Sequence, residues 1–313
     1  MRVRHGALEV VFYLGLAWMI AWFFVSFGTI YISMPKALTV SIIIPVYNEA
    51  SWLKECLQAI QKQTVTPLEV IVVDNNSTDG SLAIAKRFAG VTVLQEKRQG
   101  ALYARTAGFN AARGDIIGRI DADTRIEPNW VERLQELMID KKVAAVTGSS
   151  HWYDMPLSPF NHWVEDLFKN ALFRHEKNFP FLFGTNMAIR RSAWRSIKSE
   201  LCDKAYIFED ADLAIHLFQD KQQLLYDIRL RAGMSARRYS DTPRAFLRYI
   251  RLQSVTYKQH GIHTIGSSIA VVTYIVGYII LRPLSLAYDA DAKRFSLKKL
   301  LFNRNQPRRH PFD

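Results

Sequence analysis

Apolar residues are distributed along this chain in runs of three kinds. Residues 10–32 form an uncharged apolar stretch of about 23 residues, enough to cross a bilayer core as a helix. The stretch is too long for a signal peptide and no clear small-residue cleavage site follows it, so residues 1–37 are expected to be a membrane anchor. A second run, 262–281, closes at Arg282-Pro283. It contains Gly266, Ser267, Ser268, Thr273 and Gly277, which leaves a spanning helix and a re-entrant or interfacial segment both open. Between the two runs, short β-branched stretches alternate with segments of helical spacing. Strands are predicted at 40–44, 70–73, 91–94, 116–120 and 143–146. Helices are predicted at 51–63, 82–88 and 101–112, with another opened by Pro128-Asn129. Strands alternating with helices imply a mostly parallel sheet, and continuous apolar strands imply that both faces are covered. Beyond residue 150 the alternation fades and aromatics increase.

Composition changes this picture in two respects. With 49% hydrophobic residues the chain can bury a core, so wholesale disorder is excluded. The two cysteines, Cys56 and Cys202, form no disulfide framework and no C-x-x-C pair that would suggest zinc. Net charge is +12, unevenly placed: residues 1–236 hold 27 Lys+Arg against 25 Asp+Glu, while residues 237–313 hold 14 against 4. A basic tail beside an apolar segment points to anionic lipid or phosphate rather than to nucleic acid. On the tail, Arg244, Arg248 and Arg251 share one helical face.

In open α/β sheets ligands bind beyond the carboxyl ends of the strands. Pro45-Val46-Tyr47-Asn48-Glu49 follows the first predicted strand, Asp74-Asn75-Asn76-Ser77-Thr78-Asp79-Gly80 the second, and Asp121-Ala122-Asp123 the fourth. Each segment alone could be a turn. Together they put three acidic clusters on one rim, and such clustering is costly unless a cation offsets it. A hard divalent metal with a diphosphate fits, since Mg²⁺ and Mn²⁺ take one or two carboxylates and complete their shell with phosphate oxygens. No P-loop or G-x-G-x-x-G is present, and no Gly-rich loop follows the first strand as a nucleotidyltransferase would need.

The ordered set of these motifs, with Ala104-Arg105-Thr106-Ala107-Gly108 and Ala112-Arg113-Gly114-Asp115 between them, resembles glycosyltransferase family 2 over residues 38–235. The resemblance implies an α/β GT-A fold, Rossmann-like with flanking helices. Residues 38–125 would be the nucleotide-binding half and 126–235 the acceptor half. It also implies a nucleotide-diphospho-sugar donor (a UDP- or GDP-sugar), Mn²⁺ or Mg²⁺, and inversion at the anomeric carbon. Pro45, Tyr47, Glu49, Asp74, Arg105 and Asp121 would bind the donor, with Asp123 and Asp121 at the metal. Gly184, Thr185 and Asn186 are similar to the family's small-residue segment near the acceptor, and Phe208-Glu209-Asp210 resembles its E-D motif. There Asp210 would be the general base, oriented by Glu209. Arg237 and Arg238 would clamp diphosphate or dock to headgroups. No Q-x-x-R-W is found and little membrane material is available for a channel, so a single sugar addition to a hydroxyl on a lipid-linked or envelope glycan is expected, rather than processive export. A polyprenyl-phosphate acceptor and a non-catalytic membrane scaffold are the alternatives. The expected location is the membrane, with the catalytic domain on the cytoplasmic side, above a basic helical tail at 236–313.

Overall fold

The run Val40-Ser41-Ile42-Ile43-Ile44 enters the core at once: in β1 (Val40–Val46) every residue except Pro45 is buried. The computed structural model describes residues 37–156, 158–175, 180–204, 206–262, 265–290 and 292–296. The expected N-terminal anchor at 10–32 and the basic end at 297–313 lie outside the described residues.

Strands β2 (Glu69–Asp74), β3 (Val91–Gln95) and β4 (Ile116–Arg119) join β1 in parallel pairings. They are followed in the sheet by β7 (Met187–Arg190), β6 (Val143–Trp152), β8 (Gln223–Met234) and β5 (Arg125–Ile126). The strand order is β3-β2-β1-β4-β7-β6-β8-β5. β7 runs antiparallel to both β4 and β6, and β5 antiparallel to β8, so the second half of the sheet is mixed.

Alternation along the strands assigns side chains to the two faces. Ile42, Ile44, Val70 and Val72 pack with α1 (Leu53–Gln61) and α4 (Trp130–Leu137). Ile43, Ile71 and Val73 pack on the opposite face with α3 (Ala101–Ala111), α6 (Arg191–Ile197) and α7 (Glu209–Gln219). α1 forms where sequence predicts a helix because Leu53, Cys56, Leu57 and Ile60 recur at helical spacing and are all buried. α2 (Ser81–Lys86) lies beside β2 and β3. Gly118 is required by close approach: a Cβ there would lie 2.6 Å from the buried indole of Trp130.

The acceptor half adds α5 (Ser158–His175) against β6. After a 3-10 turn at Arg237–Ser240, α8 (Pro243–Gln259) opens with Thr242 accepting the Ala245 N–H and Pro243 at the first helical position. α9 (Ile265–Ala287) continues past Arg282-Pro283, where sequence places its end. The helix is held from the side on both flanks of the proline: Tyr278 Oη donates to Asp241 O at 2.6 Å, and Ser285 pairs with Ser240. The tail is not wholly helical, because β9 (Tyr288–Asp289) and β10 (Arg294–Phe295) close a small antiparallel pair after it.

Candidate active site

The carboxyl ends of β1, β2 and β4 open onto one cavity of about 310 Å³. Its rim is fixed by two asparagines in left-handed backbone geometry, Asn48 (φ 55°) and Asn76 (φ 62°), a conformation asparagine tolerates better than most residues. The two loops bind each other. Thr78 N–H donates to Asn48 Oδ1 at 2.8 Å, Glu49 N–H to Ser81 Oγ at 2.8 Å, and Ala50 N–H to Asp79 Oδ2 at 3.0 Å. Pro45, Tyr47 and Glu49 line the cavity. Asp74 ends β2 with its carboxylate buried and Oδ1 unpartnered, while its neighbour Asn75 forms the wall. Asn75 pins the loop before α3: its Nδ2 donates to Glu96 O and Arg98 O, and its Oδ1 accepts the Gly100 N–H.

Asp121 and Asp123 follow β4 and line the same cavity. Asp123 pairs with Arg237 at 2.8 Å, and Arg237 also grips both oxygens of Glu49 at 2.7 Å. The oxygen donors of Asp121 and Asp123 suit a hard divalent cation. Asp123 already has a cationic partner, so a metal ion must share it with Arg237 or displace that arginine. Arg238 lies over the Tyr249 ring at 3.5 Å and lines the cavity beside Arg237.

Glu209 and Asp210 occupy the first turn of α7 and face the cavity. Gly184 N–H donates to Asp210 Oδ2 at 2.9 Å, and the Ala211 N–H to Oδ1 at 2.9 Å. A helix N-terminus and amide donors favour the charged carboxylate. Burial and the neighbouring Glu209 outweigh them, and Asp210 is pushed up to about 6.

The sequence reading missed Arg119, at the end of β4. Its guanidinium is 3.0 Å from Asp121, 2.9 Å from Glu209 and 4.0 Å from Asp210. It therefore ties the loop after β4 to the carboxylates at the start of α7. An arginine in an otherwise apolar strand, two residues before D-x-D, was the available signal. Gly184 makes room for it, since a methyl group there would sit 0.9 Å from Arg119 Nη1.

Three expected site residues do not line the cavity: Asp74, which is buried behind Asn75 at the end of β2, Arg105 and Asn186. Arg105 is buried between α3 and α7, where it donates to Glu209 O at 3.3 Å and packs against Phe109 and Trp194. Its helical register turns it away from the cavity, and burial pulls its guanidinium down to about 10. Asn186 is fully buried and saturated: Nδ2 donates to Ser149 O and Leu230 O, and Oδ1 accepts the Trp130 indole N–H. Gly184 and Thr185 do line the cavity. Deeper in, its wall becomes aromatic, with Phe181, Phe183, Phe208, Tyr257 and Tyr274 beneath α8 and α9. The buried ammonium of Lys169 projects there, 2.6 Å from Ser150 Oγ and 3.1 Å from Glu165.

A family model described as glycosyl transferase family 2 matches residues 41–197, half of the chain, which includes the strand ends of β1, β2 and β4 and ends before α7. The chain belongs to glycosyltransferase family 2. This family 2 enzyme is 36% identical over 130 residues to glycosyltransferase GlyG of Streptococcus pneumoniae, covering 40% of this chain and 43% of that protein. It is 28% identical over 172 residues to the putative glycosyltransferase EpsH of Bacillus subtilis, covering 45% and 50%. The matches thus span half or less of these curated relatives. In fold it is similar to the mannosyltransferase PcManGT of Pyrobaculum calidifontis, solved with GDP-Man and Mn²⁺ (TM-score 0.58, 20% identity, 83% of this chain and 74% of that one). It is also similar to S. aureus TarS 1-349 solved with UDP-GlcNAc (TM-score 0.55, 18% identity, 70% and 66%). These likenesses establish the GT-A-like fold.

Proposed function

We propose that this family 2 glycosyltransferase moves a single sugar from a nucleotide-diphospho-sugar to a hydroxyl of a lipid-linked or envelope-glycan acceptor, with inversion, at a membrane surface. The observation that carries the reading is the convergence of two carboxylate sets on one cavity, bridged by Arg119: Asp121 and Asp123 after β4, and Glu209 with Asp210, raised to about 6, at the start of α7. Asp210 takes the acceptor hydroxyl proton as that oxygen bonds to the anomeric carbon. The bond from that carbon to the diphosphate breaks on the opposite side, and the nucleoside diphosphate departs with the electron pair. A carboxylate with its pKa near 6 is ionised at neutral pH yet basic enough to accept the proton. Bound Mn²⁺ or Mg²⁺, held by Asp123 and Asp121, would offset charge on the leaving diphosphate. Arg237 and Arg238 are placed for the same charge. Asp74, buried with an unpartnered oxygen, is suited to accept from a base N–H. GDP-Man with Mn²⁺ in PcManGT and UDP-GlcNAc in TarS are donors of the proposed class.

The aromatic inner wall and the buried Lys169 support an acceptor that is both apolar and anionic, a phosphorylated lipid carrying a sugar. α9 supports the membrane setting. Ser268–Ala287 has a mean hydropathy of 1.8, and Ile269, Val272, Val276 and Ile279 stand exposed at helical spacing, while Ala270 and Tyr278 face the protein. A helix packed along the domain with an outward apolar stripe favours lying in the interface over spanning. Exposed Arg244 and Arg251 on α8 suit anionic headgroups, with the domain on the cytoplasmic side. The test is a thermal-shift screen of UDP- and GDP-sugars with Mn²⁺, followed by mass analysis after incubation with membrane lipid extract. One sugar added with inverted anomeric configuration is the expected product. A retained configuration, or ladders of added sugars, would overturn the reading.

A further inference from the structure

Behind the base-bearing helix, four side chains of different chemistry meet. Asp212 and His216 are one turn apart on α7, Cys202 lies in the loop that precedes α7, and His260 caps the end of α8. One ligand atom from each lies within 4.8 Å of all the others. Asp212 is fully buried. Its Oδ1 is 2.7 Å from His260 Nε2 and 3.6 Å from His216 Nε2, while Oδ2 accepts the Cys202 N–H at 3.1 Å. Cys202 Sγ is 3.7 Å from His260 Nε2. His216 Nε2 is buried with no hydrogen-bond partner.

Charge and geometry both favour a cation at this point. A tetrahedron with Zn–N and Zn–O near 2.0–2.1 Å and Zn–S near 2.3 Å has ligand atoms about 3.3–3.6 Å apart. The separations here, from 2.7 Å to at most 4.8 Å, bracket that value, and side-chain shifts of about 1–1.5 Å close the set. One thiolate and one carboxylate would neutralise a divalent ion, so the buried site would carry no net charge. His216 Nε2 would gain the partner it lacks. The outer contacts are in place as well, since the Cys202 amide orients the carboxylate and Gln259 Nε2 donates to the sulfur at 3.5 Å.

We propose that Cys202, Asp212, His216 and His260 hold one structural zinc ion, separate from the carboxylate rim. On binding, the Cys202 thiol releases its proton to solvent and the two imidazoles bind as neutral ligands. The ion fastens α7 to the preceding loop and to the end of α8. Because α7 begins with Glu209 and Asp210, the clamp fixes the helix that presents the base.

Cobalt distinguishes this site from the rim, which offers only oxygen ligands. The full-length protein is stripped with chelator, its rim is saturated with Mn²⁺, and Co²⁺ is added. One equivalent is expected to give the near-ultraviolet thiolate-to-cobalt band and the intense visible bands of tetrahedral cobalt. One equivalent of zinc should abolish both and raise the melting midpoint. Cys202→Ser should lose the thiolate band. His216→Gln should weaken zinc binding by more than about 100-fold, beyond the 10–100-fold cost of an outer-shell change. If Cys202→Ser does not fold, His216→Gln in the cobalt titration decides alone. A wild-type titration without a thiolate band, a band that survives in Cys202→Ser, or zinc affinity unchanged in His216→Gln would overturn the proposal.

Discussion

Gly184→Ala probes the link between the two sides of the active site. The added methyl would lie 0.9 Å from Arg119 Nη1 and 2.2 Å from Cζ, so the guanidinium must leave its slot. Arg119 stands 4.0 Å from Asp210 and 2.9 Å from Glu209. A pair of unit charges at 4 Å is worth about 4 kcal/mol at an effective dielectric of about 20. Arg119 is displaced rather than deleted, and 23% of the Asp210 side chain is exposed, so only part of this is lost. Losing about 1.4 kcal/mol raises Asp210 by one further unit, from about 6 to roughly 7. At pH 6 the ionised fraction then falls from about half to about a tenth, and kcat/KM drops roughly 5-fold beyond any loss at high pH. Glu209, left buried without its partner, lowers stability by about 2–4 kcal/mol. The assay is nucleoside diphosphate release between about pH 5 and 9, with Arg119→Met alongside as the charge-only control. If both variants keep the wild-type acidic limb and melting midpoint, Arg119 does not hold the acceptor carboxylates and the electrostatic argument fails.

Asp210→Asn should retain donor binding and lose transfer by about 10²–10⁴-fold, read from calorimetry and product formation. The same variant should be more stable at pH 7 by about 1–3 kcal/mol. A carboxylate raised from 3.8 to about 6 on folding loses stability as pH climbs through that window, so the gain should disappear below about pH 4 in chemical denaturation. Arg237→Gln removes a cationic partner from Asp123 and Glu49. It should tighten Mn²⁺ binding in the absence of donor by about 10-fold and weaken nucleoside diphosphate binding, both measurable by calorimetry. Ile279→Glu places a charge on the outward stripe of α9. It should reduce co-flotation with anionic vesicles while leaving soluble nucleotide release unchanged.

The first half was legible because β1, β2 and β4 are buried on both faces and the acidic residues sit at consecutive strand ends, while β3 at the sheet edge is only partly covered. Asp121, Asp123 and Glu49 could be placed from order along the chain alone. The acceptor half resisted for a physical reason. β6, β7 and β8 are paired across long separations, so no local period marks their register. Asn186 shows the limit: its neighbours Gly184 and Thr185 reach the cavity, but one residue further the side chain points into the core and meets Trp130. Arg105 fails similarly, since its face of α3 is set by packing against Trp194. The Cys202 cluster follows no metal-binding spacing, because its ligands come from a loop, one turn of α7 and the end of α8.

The position of β4 in the sheet has a consequence for how this enzyme could change specificity. β4 is parallel to β1 on one side and antiparallel to β7 on the other, with Arg119 opposite Met187. The loop after β4 and the loop before β7 therefore leave the sheet at the same level and line one cavity. A change within β4 shifts both loops together, so a requirement on one constrains the other. Independent variation is left to segments farther from β4, such as the 75–80 loop, α5 and the tail.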